Sequence, residues 1–186
     1  MTLTTQKTIA HILKVNHAGE YGAIRIYHAQ LWVSTWLHPD LRTFLTETLS
    51  HEIDHCRRFR DSMNAYKTRS CRAMWLWSTG GWVLGFVTAL MGRNAVMACT
   101  AAVESKVHRH LDEQIAFLMR VNDPLADLIA DIRVQEIEHL EFARARLKET
   151  NVSRLIEAFV GIATESVIWL STQGAVTRME RGLRLQ

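Results

Sequence analysis

Apolar residues recur every three to four positions along almost the whole chain, the spacing of an amphipathic helix and not of a half-buried strand. Four stripes stand out. The first reads Leu13, His17, Glu20, Ile24, Tyr27, Leu31; Pro39 then marks a break, with Asp40 available near the next helix start. The second reads Leu45, Leu49, Glu52, His55, Phe59, Met63, and the third Met97, Ala101, Glu104, His108, Leu111, Ile115, Leu118, closed by Asn122, Asp123 and Pro124. The fourth reads Leu125, Ile129, Ile132, Glu136, His139, Ala143, Leu147. A last amphipathic stretch, Leu155 to Leu170, reads as a packing helix. The pattern predicts an all-α fold in a single domain, 1–186, with four long helices as its core.

One segment departs from the pattern. Ala73 to Gly92 contains no charged residue, is flanked by Arg72 and Arg93, and carries Trp75, Trp77 and Trp82. Its length is near the roughly 20 residues that span a bilayer as a helix. Ser78, Thr79, Gly80 and Gly81 interrupt it, and the apolar run that remains, Trp82 to Met91, is too short to span. The expectation is a hairpin or short helix that dips into one leaflet with its tryptophans at headgroup level. The alternative is a buried core helix with a glycine-rich approach.

Composition narrows the class. The net charge of +3 comes without basic runs, which argues against a nucleic-acid binder. Only two prolines fall in 186 residues, which disfavours a turn-rich β fold and favours long helices. Cys56, Cys71 and Cys99 are odd in number and lack CxxC spacing, which excludes a disulfide scaffold or a zinc finger and fits reduced thiols. Met1 to Lys14 shows neither the apolar core nor the cleavage site of a signal peptide.

The stripes also contain a repeat. Glu52 follows Glu20 by 32 positions, and His55 comes three later; Glu136 follows Glu104 by the same 32, and His139 again comes three later. Pro39 and Pro124 recur within one residue of the 84-residue offset between the halves. This describes a duplicated helical hairpin. Residues i and i+3 share a helix face, so Glu52/His55 and Glu136/His139 can each offer an oxygen and a nitrogen to one ion. Four ionised carboxylates within apolar stripes are costly unless paired or metal-bound, and they balance two divalent cations. Mixed carboxylate and imidazole ligands suit Fe or Mn. One Glu from each of two helices with Glu-x-x-His from each of two others is the ligand set of ferritin-like di-iron bundles. Around it, His17, His108 and His110 are candidate outer partners, His108 the better placed by facing; helix packing beside Gly19 and Gly22 explains the His17 neighbourhood equally, and a satisfied core histidine is the favoured reading of His108 and His110. Asp54 and Glu138 are candidates to orient the imidazoles, with solvent exposure the competing reading. Cys56 and Cys99 read as small apolar fillers.

At these residues the chain resembles the di-iron demethoxyubiquinone hydroxylases of ubiquinone biosynthesis. The strings that carry the resemblance are VNHAGEYGAIRIY (Val15 to Tyr27), SHEIDH (Ser50 to His55), GFVTALMGRNAVMACTAAVES (Gly85 to Ser105) and EIEH (Glu136 to His139), and the likeness runs from Lys14 to Leu170. It implies a ferritin-like bundle with Glu20, Glu52, His55, Glu104, Glu136 and His139 as ligands to two iron ions (Fe2+/Fe3+). It also implies an O2-dependent monooxygenase acting on the ring of a demethoxyubiquinol or demethoxyubiquinone, with NADH as the source of electrons. The Trp82 to Met97 region corresponds to the family's membrane-facing access element for a prenyl tail. The implied partners are a polyprenyl quinone, a membrane surface bound peripherally, and a ubiquinone-biosynthesis complex or a second copy of the chain. The implied location is the cytoplasmic face of a bacterial inner membrane, or the matrix face of the mitochondrial inner membrane for an organellar chain.

The chain departs from the family pattern in three places. Ser105 stands where a second glutamate is common, Leu111 where a tyrosine is common, and Thr172-Gln173 where a C-terminal string carries Glu-Arg. These bear on quinone positioning and electron delivery, not on the six ligands. No GxGxxG fingerprint is present, which excludes a separate Rossmann nicotinamide domain. Two rivals remain at this stage. One is a ferritin-like ferroxidase or peroxidase, against which the Ala73 to Gly92 segment counts; the other is a non-catalytic metal-binding bundle.

Overall fold

The structure, a computed structural model, describes residues 3–184, and every regular element among them is a helix. The helix α1 spans Leu3–Leu37 and α2 spans Arg42–Ala65, joined through a 3-10 turn at Pro39–Leu41 where the sequence predicts the break. Then come α3 (Met74–Leu90), α4 (Arg93–Arg120), α5 (Leu125–Arg146), α6 (Asn151–Thr172) and α7 (Ala175–Arg184). Pro124 stands at the N-cap of α5, where its missing N–H costs nothing. Asn122 just before it has φ 52, a left-handed turn residue. Thr150 caps α6 by accepting from the Ser153 N–H at 3.0 Å, and Ser153 reaches back to the Thr150 N–H at 2.8 Å.

The four predicted stripes form the core. Leu13, Tyr27, Leu45, Phe59, Leu111, Leu118, Ile129 and Ile132 are all fully buried. The helices α1 and α2 pair as one hairpin and α4 and α5 as the other, and the two close into an all-α, ferritin-like bundle. The repeat extends one helix further than the sequence reading took it. After the first hairpin α3 returns along α1, and after the second α6 returns along α4.

The Ala73 to Gly92 segment is neither a hairpin nor broken by its glycines. It is one continuous helix, α3. Its glycines face α1 instead of interrupting the chain: a Cβ on Gly81 would lie 2.5 Å from the Gly22 carbonyl oxygen, and one on Gly85 would lie 2.2 Å from that of Ile26. Both distances are impossible for a real side chain, so glycine is what lets the two backbones meet. This excludes the hairpin and the fully buried core helix, and leaves a short helix with one face in the core and the other exposed. Gly81, Gly85, Thr88 and Ala89 are buried, while Trp75, Trp82, Val83, Val87, Leu90 and Met91 are exposed. The packing helix expected at Leu155 to Leu170 is α6, and it is two-faced as well. Ile156, Val160 and Ile168 are buried, but Leu155, Phe159, Ile162, Trp169 and Leu170 are exposed. By length and composition α6 is the one described helix that could cross a membrane.

Candidate metal centre

The i and i+3 spacing on α2 and α5 and single glutamates on α1 and α4 bring the six candidate ligands to one place in the middle of the bundle. Glu20, Glu52, Glu104 and Glu136 are 1–5% exposed, and His55 and His139 are 0% and 4% exposed. They fall into two overlapping groups, Glu20/Glu52/His55/Glu136 and Glu52/Glu104/Glu136/His139, with the potential ligand atoms of each group within 4.8 Å of one another. Glu52 and Glu136 belong to both groups. Each group could hold a cation, and the two would then share two carboxylates.

The polar atoms of the cluster crowd together but pair poorly. His55 Nδ1 lies 3.0 Å from Glu136 Oε1, and His139 Nδ1 lies 3.5 Å from both Glu52 Oε1 and Glu136 Oε2. Yet Glu52 Oε1, both Glu136 oxygens and both histidine Nδ1 atoms lack a properly directed hydrogen-bond partner. Buried polar atoms are almost always satisfied, so so many orphans aimed inward fit divalent cations as the missing partners. The electrostatics agree. Burial and the neighbouring Glu136 charge push Glu52 and Glu104 well above the usual carboxylate range. Burial also opposes charge on Glu136 and His55, but their partners outweigh it: His139 and His55 hold Glu136 below its usual range, and Glu136 and Glu20 raise His55 to about 11. A charge pattern that strained relaxes when cations replace protons.

Other candidates fall in different places. His110, not His108, is the buried one; it lies against Glu165 at 3.2 Å, while His108 pairs with Asp112 nearer the surface at 3.4 Å. Facing from a single helix favoured His108, but α6 covers the other side of α4. His17 is buried and both its ring nitrogens lack partners, and burial lowers its pKa. Asp54 binds Arg57 on the surface at 2.5 Å, and Glu138 is exposed, so neither orients an imidazole. Cys56 and Cys99 are buried free thiols, as expected of fillers.

Other groups at the site were not singled out from sequence. Tyr27 was read only as a stripe residue; its hydroxyl donates to Glu104 Oε1, and burial with the Glu104 charge raises its pKa well above the usual value. A hydroxyl-tipped ring seven residues after Glu20 on the same face was the available signal. Asn16 and Gln114 form a reciprocal buried amide pair, at 2.7 and 3.1 Å. Nothing in the sequence links residues 98 positions apart.

A cavity of about 570 Å³ reaches this cluster. All four glutamates line it, whereas neither histidine does, so the carboxylates face the cavity and the imidazoles stand behind them. Its walls are apolar, from Ala23 and Ile26 of α1, Val83 and Val87 of α3, and Val103 and Val107 of α4. Phe159, Ala163 and Val167 of α6 complete it, so the cavity lies between the two helices whose outer faces are apolar.

Comparison with known proteins gives a consistent result. The profile of the family described as ubiquinone biosynthesis protein COQ7 matches residues 7–171. A mouse protein named NADPH-dependent 3-demethoxyubiquinone 3-hydroxylase, mitochondrial, is 37% identical over 136 residues, covering 70% of this chain and 61% of that protein. A Dictyostelium discoideum protein of the same name is 33% identical, covering 90% of this chain and 78% of that protein. A 3-demethoxyubiquinol 3-hydroxylase from Rhodospirillum rubrum is 30% identical, covering 88% and 77% respectively. The chain thus spans 61% of the length of the mouse relative. With a profile match over most of its length, and with the fold and buried Glu/His cluster described above, the chain belongs to the ubiquinone biosynthesis protein COQ7 family.

Proposed function

We propose that residues 1–186 form one di-iron domain that hydroxylates the ring of a demethoxyubiquinol or demethoxyubiquinone at a membrane surface. The observation that carries this reading is the set of inward-facing, unpartnered ligand atoms at the floor of an apolar cavity. Glu20 and His55 would hold one ion, Glu104 and His139 the other, and Glu52 and Glu136 would be shared. When bound, the iron pair supplies the activation of O2, one atom of which enters a ring C–H bond while the other leaves as water with two electrons and two protons. The chain's own residues do the rest. The carboxylates turn toward the cavity, and the histidines leave that side free for substrate. Apolar walls of α1, α3, α4 and α6 exclude water around the ring. The reciprocal Asn16–Gln114 amide pair is a polar part of that wall. A prenyl tail would leave between α3 and α6, whose exposed apolar faces then lie along the lipid. Electrons come from a reduced nicotinamide. NADH is the donor we favour from the family resemblance, and the name of the mouse relative specifies NADPH for that protein.

The test is anaerobic loading with Fe(II), then 18O2 and a short-chain demethoxyquinol, with mass spectrometry of the product. One labelled oxygen per product, lost in Glu104→Ala and His139→Ala, is the expected result. O2 consumption with iron oxidation but no labelled product would replace the proposal with a ferroxidase.

A further inference from the structure

On the side of the cluster away from the cavity, the outer nitrogens of both histidines are engaged. His55 Nε2 lies 2.8 Å from Gln135 Oε1, and His139 Nε2 lies 3.0 Å from His51 Nδ1. The His51 and His139 rings also stack, with centroids 5.3 Å apart and planes 17° from parallel. His51 and Gln135 hold equivalent places in the repeat, each immediately before the glutamate of a Glu-x-x-His. The contacts therefore cross between hairpins. The residue before Glu52 holds the histidine that follows Glu136, and the residue before Glu136 holds the histidine that follows Glu52.

Such a contact decides what the inner nitrogen can do. An imidazole offers Nδ1 as a lone pair only when its proton sits on Nε2. The Gln135 carbonyl oxygen accepts and cannot donate, so the His55 Nε2–H must donate to it, which leaves Nδ1 free to bind a cation. At the other end, for His139 Nδ1 to be free in the same way, its Nε2–H must donate to His51 Nδ1, with the His51 proton on its outer nitrogen. We infer that His51 and Gln135 are positioning residues for the metal pair, each fixing the ring of the histidine supplied by the opposite hairpin. Each ion is thereby tied to both halves of the repeat, through the shared glutamates on one side and through a crossed hydrogen bond on the other. This rests on the metal-centre reading, and it assigns the role that the sequence offered to Asp54 and Glu138 to different residues.

The experiment needs no turnover. Metal-free protein is titrated anaerobically with Co(II), following visible absorption and calorimetric stoichiometry. In His51→Leu and Gln135→Leu, one of the two ions is expected to bind about 10- to 100-fold more weakly, the usual consequence of removing such a partner. His51→Gln and Gln135→Glu, which restore an acceptor, recover most of the affinity, and that recovery separates positioning from misfolding. Asp54→Ala and Glu138→Ala titrate like the unmodified protein. Two ions bound with unchanged affinity in both leucine variants would overturn the assignment, as would equal losses in Asp54→Ala and Glu138→Ala. No Co(II) bound by the unmodified protein would overturn the metal centre itself.

Discussion

The Tyr27 hydroxyl occupies one oxygen of Glu104, which leaves the other oxygen for a cation and keeps the carboxylate from swinging away. Removing one partner of a buried hydrogen bond leaves the other unsatisfied, at a cost of about 1–3 kcal/mol. Tyr27→Phe keeps the ring volume and removes only that bond, so it should lower stability to urea by about that amount. An unchanged midpoint and slope in urea unfolding would show the hydroxyl to be unimportant. Proton linkage gives a second expectation at this scale. Without metal, Glu52 and Glu104 titrate above their unfolded values and His55 titrates near 11. A raised folded pKa means the folded state holds the extra protons, so their stabilisation is full below the unfolded pKa and is lost as pH rises toward the folded one. Glu136 is shifted the other way, and its contribution is lost only on acidification. His11, His17 and His51 are shifted down by burial and act in the opposite sense below the ordinary histidine range, so chelated protein should melt at progressively lower temperature as pH rises from about 7 to 9, and bound Mn(II) or Fe(II) should raise the melting temperature most at the alkaline end. A chelated protein that gains stability over that range would contradict these shifts. The six ligand candidates were legible in the sequence because charged residues inside an apolar stripe demand an explanation. Tyr27, His51 and Gln135 were not, because their importance lies in contacts across the bundle that no single helix displays.

At the scale of elements, α3 shows how one sequence signal can point two ways. Gly80 and Gly81 are helix-weakening in isolation, and from the sequence they marked an interruption. Against α1, glycine at 81 and 85 is instead a steric requirement, and the gain from close backbone packing keeps the helix whole. Only the neighbouring helix distinguishes these meanings. The two kinds of glycine separate experimentally. Gly80 has nothing within 4 Å of an added Cβ, so Gly80→Ala should stabilise the protein by up to about 1 kcal/mol through helix propensity alone. Gly85→Ala drives a methyl into the Ile26 carbonyl and should destabilise by about 1–3 kcal/mol. Opposite signs in thermal unfolding are the expected outcome, and two stabilised variants would refute the close contact. The four bundle helices posed no such difficulty, since one period and one apolar face suffice to define them.

Across the whole molecule, the two halves of the repeat each send a third helix to the same side, and the cavity lies between them. The helices α3 and α6 each present a row of exposed large apolar side chains, and the exposed Trp32 of α1 stacks on Phe86 of α3. The sequence marked only the α3 row, because α6 has a regular amphipathic period whose exposed side is also apolar. A crossing orientation for α6 conflicts with its contacts: Glu165 in its second half binds Arg109 and His110 of α4, and Ile156 and Val160 are buried against that helix. An in-plane position with the outer faces of α3 and α6 at the lipid boundary satisfies both helices. Leu155 and Ile162 are 71% and 68% exposed and do not line the cavity, so charging them should leave the bundle and its metal capacity intact. Leu155→Glu with Ile162→Glu should reduce co-sedimentation with vesicles of phosphatidylethanolamine and phosphatidylglycerol by about 10-fold or more, since two apolar side chains worth about 1.5–3 kcal/mol each on full burial are withdrawn from lipid. Unaltered vesicle binding together with unaltered metal binding would move the lipid contact to another surface. Loss of vesicle binding alone would show that the chain meets lipid on the side from which its carboxylates are approached.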